Sequence, residues 1–370
     1  SLLRKVEQGS RDATPVLVAA VAKALAVDVT TLNGQPYDRS GRHPDRIHAL
    51  IPPLRQALAY WDVAPAPETR PRRHEALAAD AREISRLRQA GRHVQAAERL
   101  PALLLEAVAS AHDADGVERE RLFEILTVLL FAAHSVTYKT GYEDLSTVVE
   151  DRIQWAAAQT GDPLMGALGA WARTTSLLRT GAYEVGIQLL DRTHAQIDEL
   201  RDVPDHVTVS GALHLRGAML AARAGAPGVV ETHMSEAWDL AARAGHDYDG
   251  GWHQLSFGPG NTGIHAVAAA IELGDGPTAL SQAEGLHLTD AVPAIRAGHH
   301  YMDLARAYLW HGKHEQSLAS LQKARELAPQ QTRHHPTTRE VLRLLVRAHR
   351  NSNEPLARFS TWVGTAPESS

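Results

Sequence analysis

The 370-residue chain has no cysteine. That single absence removes disulfides, thiolate zinc or iron–sulfur ligation and a cysteine nucleophile, and fits a reducing compartment such as the cytoplasm. Charge of neither sign dominates: Lys and Arg number 38 against 43 Asp and Glu, for a net charge of −5. The chain is therefore no polybasic nucleic-acid coat, and any contact with DNA has to be local. With 44% hydrophobic residues it is no disordered tail either. Long apolar runs are missing: the most apolar stretch, Ile125 to Ala133, falls far short of the roughly 20 residues that a membrane span needs. No Gly-x-x-x-x-Gly-Lys-Ser/Thr loop or Gly-x-Ser-x-Gly elbow occurs, so neither an enzyme nor a cofactor is expected. The first residues, Ser1 to Gly9, have neither an initiator Met nor a signal-peptide profile and open in mid-helix pattern, which places the expected true start upstream.

What is present is Ala, Leu and charge, without the Val/Ile/Thr alternation of strands, and the fold class read from it is all-α. Pro, Gly and polar punctuation at Asn33 to Pro44, at Ala64 to Pro71 and around Gly245 to Gly260 sets the organisation. Residues 1–36 form an amino-terminal unit, 37–71 a linker with a connector helix, 72–350 a repeat region, and 351–370 a tail. In the connector, Ile47, Leu50, Ile51, Leu54, Leu58 and Trp61 recur at helical spacing around Pro52-Pro53. The reading is a kinked amphipathic helix whose stripe docks on a neighbouring domain of the same chain or, alternatively, dimerises.

From Arg72 onward, small-residue turns recur between helices. Tyr301, Leu304, Ala305, Tyr308, Gly312, Ser317, Leu321, Ala324 and Pro329 fall at the spacing of the tetratricopeptide repeat, where large residues on one helix nest against small ones on the next. Weaker echoes lie at Gly91 with Ala96, near Thr140, at Gly181 with Gly186, at Gly225, and at Gly274 with Ala279. A degenerate α-solenoid of about six helix pairs is the expectation, with a concave face suited to binding.

The amino-terminal unit reads as helix, Gly-containing turn, helix, with Thr14-Pro15 as a good N-cap and first position. On Glu7-Gln8-Gly9, Arg11, Thr14-Pro15, Ala24-Leu25-Ala26-Val27 and Leu32 it resembles the second half of the lambda-repressor-like, Xre-type helix-turn-helix domain, with Ala26 where Gly is commoner and without that domain's first two helices. The resemblance puts Ser1 and Lys5, with Arg4 near them, on the groove-facing side of a recognition helix, and Ser10 and Arg11 on phosphate. With the repeats, the chain looks like an actinobacterial Xre-type regulator with a carboxyl-terminal tetratricopeptide sensor domain. That likeness runs on through Phe257-Gly258-Pro259-Gly260-Asn261-Thr262-Gly263-Ile264-His265 and through Asp303 to Tyr308 as far as Ala328-Pro329.

Asn261 and His265 are four apart, hence on one helix face, and either grip a ligand together or serve as a cap and a packed side chain. Trp171, Trp252, Phe257, Tyr138 and Tyr301 are the aromatic candidates for a concave ligand surface, although most solenoid aromatics are core. Arg296 and Asp303, seven apart, bind a charged terminus or pair with each other. Histidine is frequent, at 21, with His299-His300, His311-x-x-His314, His334-His335 and Asp247-x-Asp249-x-x-x-His253 as the clusters. None has a known zinc spacing, so they read as solvated turn residues and no metal is expected. The functional expectation is a cytoplasmic, dimeric, ligand-responsive transcriptional regulator. Its partners would be a DNA operator, given the two further helices, and a peptide or small-molecule effector. A repeat-protein adaptor and a repeat-domain phosphatase-like enzyme are the alternatives.

Overall fold

The computed structural model describes residues 2–8, 11–36, 46–63, 72–348 and 354–365, and among them it contains nineteen α-helices and no strand. From His74 onward they form antiparallel pairs. The first three are α5 (His74–Gln89) with α6 (His93–Asp113), α7 (Gly116–Lys139) with α8 (Glu143–Ala158), and α9 (Pro163–Thr180) with α10 (Tyr183–Ile197). Then come α11 (Pro204–Arg223) with α12 (Pro227–Ala244), α13 (Pro259–Glu272) with α14 (Gly276–Glu284), and α15 (Ala294–Trp310) with α16 (His314–Leu327). One local signal makes all six turns: Gly91, Gly141, Gly181, Gly225, Gly274 and Gly312 each take a φ between 68° and 85°. An L side chain is strained there, so glycine ends the first helix of every pair.

Stacking follows from the same repetition. The series α5, α7, α9, α11, α13, α15 packs each member on the next, forming an inner layer, while α15 also touches α5. Beside that contact the Val94 amide donates to Gln330 Oε1 (2.9 Å), and Gly91 lies against Ile295 and Ala328. The superhelix thus curls until its sixth pair meets its first, around a central cavity. α7 is long and apolar enough, by length and composition, to cross a membrane, yet 83% of that window is buried inside the protein. It is a core helix, packed by α5, α6, α8 and α9.

The connector is α4 (Arg46–Ala59), helical through Pro52-Pro53, whose rings lie on the exposed face. Its stripe, Ile47, Ile51, Leu54 and Leu58, is buried in the main core, α4 packs on α6, and Trp61 meets Trp155 edge-on at 4.9 Å. The apolar face is therefore covered within the chain. Residues 351–370, read from sequence as a tail, carry α19 (Glu354–Val363). Its Leu356, Phe359 and Val363 bury against Val341, Leu342 and Leu345 of α18 (Pro336–Ala348), adding an amphipathic pair after the short α17 (Pro329–His334).

Of the amino-terminal helices α1 (Leu2–Glu7), α2 (Pro15–Leu25) and α3 (Val29–Asn33), α2 packs on α3 and α9, and Asp12 and Ala13 just before it bond to α15 and α18. Thr14 Oγ1 accepts the Leu17 amide (3.3 Å) and Pro15 starts α2, as the sequence predicts. Ala26 ends α2 in the left-handed region, φ 53°, which gives a physical reason for glycine being commoner there.

Candidate functional site

The central cavity, about 1070 Å³, is walled by the inner helices and by Leu3, Val6, Val18, Val21, Val29 and Leu32 of α1–α3. Of the residues singled out from sequence, it brings together Tyr138, Trp171, Asn261, His265 and Arg296. Asn261 is not the cap of α13. The N-cap position is Gly258, and the Asp247 carboxylate, reaching in from the preceding loop, accepts the Gly260 and Asn261 amides at 3.1 and 3.0 Å. Asn261 itself is buried: its Nδ2 donates to Ser256 O (2.8 Å) and its Oδ1 accepts from Arg296 Nε (3.1 Å). His265 Nδ1 lies 2.8 Å from Asn261 O, and Arg296 Nη2 donates to His265 Nε2 at 2.7 Å. Burial and the facing guanidinium hold the imidazole well below its ordinary pKa. It is therefore neutral, with the proton on Nδ1 and Nε2 accepting. The Asn–His pair read from sequence thus aims Arg296 at the cavity, with its Nη1 unengaged by these bonds.

The same end of the cavity carries three more cations. Lys139 and Arg216 form no ion pair and donate no hydrogen bond among the described residues; Arg216 stacks on Trp171 at 3.7 Å, and Lys139 lies 5.4 Å from the Tyr138 ring. Arg88 stacks on Phe131 (5.0 Å) and donates to Gln254 Oε1 (3.2 Å). Burial, then the facing Arg296 and Arg216, pushes the Lys139 ammonium down to about 7. Burial brings Arg216 to about 9, and Arg296 and Arg88 to about 10. It raises Asp303 to about 6. His299 is held well below its ordinary value by burial, His335 and Lys139, and burial with Lys139 brings His93 and His335 to about 3. Positive charge gathers here and outnumbers the carboxylates that face it, Asp303 and Glu150.

Elsewhere on the cavity wall several cations have a carboxylate partner. Glu272 binds Arg306 (2.9 Å) and Arg223 (3.6 Å), Arg179 approaches Glu143 (3.7 Å), and Arg343 pairs with Glu340 (2.7 Å). Arg306 also stands over Trp310, whose indole N–H donates to buried Asp12 Oδ1 at 2.6 Å. The Ala13 amide donates to Glu340 Oε1 (3.2 Å). Two bonds therefore tie the turn before α2 to α15 and α18.

Three residues expected on the ligand surface lie elsewhere. Phe257 is fully buried, its ring laid over Gly211 of α11 where any Cβ would collide. Trp252 Nε1 donates to Glu124 (3.1 Å) on α7, and Tyr301 packs among Leu304, Ala307 and Tyr308. The loop between α12 and α13 is thus a strap that lends the cavity wall Gln254, Leu255 and Ser256 but neither of its two expected rings. Its Gln254 and Asp249 also bond Ser85 and Gln89 of α5 (2.6 and 2.7 Å), and its His253 sits between Asp162 and Asp205 (3.0 and 3.1 Å). Burial opposes charge on His253, but the two carboxylates prevail and its pKa is raised. Arg296 and Asp303 do not form an ion pair; Asp303 faces His299 (3.6 Å). His300 and His334 are buried and His299 and His335 line the cavity, so these are not solvated turn residues, because α15 and the junction of α17 with α18 carry them inward. No group of three or more His, Asp or Glu among the described residues is arranged to hold a metal. Arg4 and Lys5 on α1, and Arg11, are exposed, whereas Leu3, Val6 and Glu7 of the same helix face the cavity; Ser1 and Ser10 lie outside the described residues.

Lys139, Arg216, Arg88 and His299 escaped the sequence reading as ligand candidates, and the turn glycines carry a signal that finds the first two. Counting back two residues from Gly141, Gly181, Gly225 and Gly274 gives Lys139, Arg179, Arg223 and Glu272; nine back from Gly225, Gly274 and Gly312 gives Arg216, His265 and Asp303. All seven line the cavity, because multiples of the helical period place them on one face. Compared with known proteins, the chain matches no family model, no curated protein and no solved structure.

Proposed function

We propose that this chain is the sensing part of a dimeric, Xre-type transcriptional regulator. In this reading α1–α3 are the carboxyl-terminal half of its helix-turn-helix domain, α5–α19 are a degenerate tetratricopeptide solenoid, and the cavity holds the effector. The observation that carries the reading is the shared wall: Leu3 and Val6 of the helix read as the recognition helix line the same cavity as Asn261, His265 and Arg296, while Arg4 and Lys5 stay on its outer side. A ligand that fits one placement of α1–α3 better than another shifts the population toward it, and with it the DNA-reading geometry. The hydrogen bond from Trp310 to Asp12 is the link through which occupancy is felt.

The test uses the protein made from the whole reading frame. Its operator is selected from random duplex DNA, and its effector is identified by mass spectrometry of co-purified small molecules and peptides. Lys5→Ala is expected to weaken operator binding by about 1–3 kcal/mol if Lys5 reaches a base. Trp310→Phe is expected to keep effector binding and operator binding but to lose the effector's influence on DNA. Absence of any selected operator refutes the regulator reading, and a normal effector response in Trp310→Phe refutes the link.

A further inference from the structure

We propose that the end of the cavity formed by Lys139, Arg216 and Arg296 seats the anionic head of an amphiphilic organic anion, whose apolar body lies along Phe131 and Trp171. This rests on the cavity being the effector site and adds the chemical class of the effector. Lys139 and Arg216 line the cavity with their N–H donors engaged by no acceptor among the described residues, while Asn261 and His265 fix Arg296 toward the same space. Cations crowded into a partly desolvated space repel one another; Asp303 faces Lys139 and Arg296, and Glu150, itself bonded to His134, acts on Arg216, so the cations outnumber the carboxylates. Other clusters on the wall have a carboxylate within reach, as in Arg223–Glu272–Arg306, Arg179–Glu143 and Arg343–Glu340. Here the missing counter-charge is one that a ligand can supply, through charge-assisted hydrogen bonds to two guanidinium groups and an ammonium.

The rest of the ligand is set by the adjoining wall. Phe131 and Trp171 meet at 5.7 Å and 65°, an angled apolar surface under Arg88 and Arg216. A cavity of about 1070 Å³ exceeds what a bare inorganic anion fills and stands at the upper end of ordinary ligand pockets. An apolar body with an acidic head, carboxylate or phosphate, satisfies both halves.

The probe is 8-anilinonaphthalene-1-sulfonate, read by fluorescence against its uncharged relative N-phenyl-1-naphthylamine. The chain is expected to bind the sulfonate at one site and more tightly than the neutral ring system. Lys139→Gln and Arg216→Gln should each lower sulfonate affinity about tenfold or more while leaving the neutral probe unchanged. Lys139→Arg, which keeps the charge, should retain the preference, and far-UV circular dichroism checks that each variant is folded. Between about pH 6.5 and about pH 8 the sulfonate stays ionised, Arg88, Arg216 and Arg296 stay mainly charged, His93, His299 and His335 stay neutral and Asp303 stays mainly ionised. Lys139 accounts for most of the proton loss in that window, Asp303 giving up the remainder of its own, so affinity should fall about threefold or more as pH rises, and Lys139→Arg should remove most of that slope. Competition by dodecanoate, dodecyl phosphate and dodecanol then distinguishes a carboxylate head from a phosphate head, with dodecanol expected to compete worst. Equal affinity for the two probes, or a sulfonate affinity indifferent to Lys139 and Arg216, overturns the proposal. No DNA enters this assay, so failure of the regulator reading leaves its result standing, and its own failure leaves the operator test untouched.

Discussion

Gly211 and Phe257 make a lock that a double-mutant cycle can open. The Phe257 ring lies in the notch that a missing side chain leaves on α11, and it anchors the strap that carries Asp247 to the start of α13. Gly211→Ala should gain about 1 kcal/mol of helix propensity but lose about 1–3 kcal/mol to overpacking, for a modest net loss. Phe257→Ala empties the notch and should cost about 3–5 kcal/mol. In the double variant the new methyl occupies part of the emptied space, so the overpacking loss disappears and the propensity gain remains. The combined loss should then be smaller than the sum of the single losses by about 1–3 kcal/mol. Urea unfolding of the four proteins, followed by circular dichroism with the m-values compared, measures the coupling. Additive single effects would refute the lock and with it the view of the strap as a built support.

Ala26→Gly should stabilise the end of α2 by about 1 kcal/mol, because Ala26 sits in the left-handed region; slower hydrogen exchange in α2 is the readout. Glu272→Gln should destabilise the fold by about 3–5 kcal/mol, since it leaves Arg306 and Arg223 without their carboxylate; chemical denaturation checks it. Lys139 has a folded pKa of about 7 against an ordinary 10.5. The folded state therefore holds fewer protons than the unfolded chain between those values, and stability should rise with pH across that window. Lys139→Met should flatten that part of the melting-temperature profile and raise the melting temperature at neutral pH.

Helical class and turn positions were legible because both are local. Glycine before a helical run, small residues after it and Pro at first helical positions act within a few residues, so Gly91, Gly181, Gly225, Gly274 and Gly312 could be picked out from sequence alone. The destination of the large loop was not. Whether Phe257 faces a ligand or Gly211 depends on a contact 46 residues back along the chain, and a glycine inside a helix does not reveal what it admits. The tail was misjudged for a similar reason: Leu356, Phe359 and Val363 have helical spacing, but ten residues of amphipathic pattern gain a partner only once α18 lies beside them. In the site, Asn261 and His265 stood out because polar residues at a helix start draw the eye, while Lys139 and Arg216 sat in helices whose other residues are core.

A helix–helix core has no use for Lys139, Arg216 and Arg296 side by side. Apolar residues at those positions would pack without the desolvation that pulls all three pKa values down. The repeats themselves offer the alternative, since nine residues before Gly141 and Gly181 the chain has Ala132 and Ala172, both fully buried, where the next repeat has Arg216. Sites that work against stability are where function is found, because evolution retains such a cost only when something else depends on it. The position of the cost matters as well. It lies in the wall that α7, α11 and α15 share, and α15 carries both Arg296 and, one turn from its end, the Arg306 that stands over Trp310 and so over Asp12. In the proposed reading, a bound anion that relieves the repulsion acts on α15, which carries Arg296, one of the groups that select the ligand, and also Trp310, which bonds Asp12 in the amino-terminal unit.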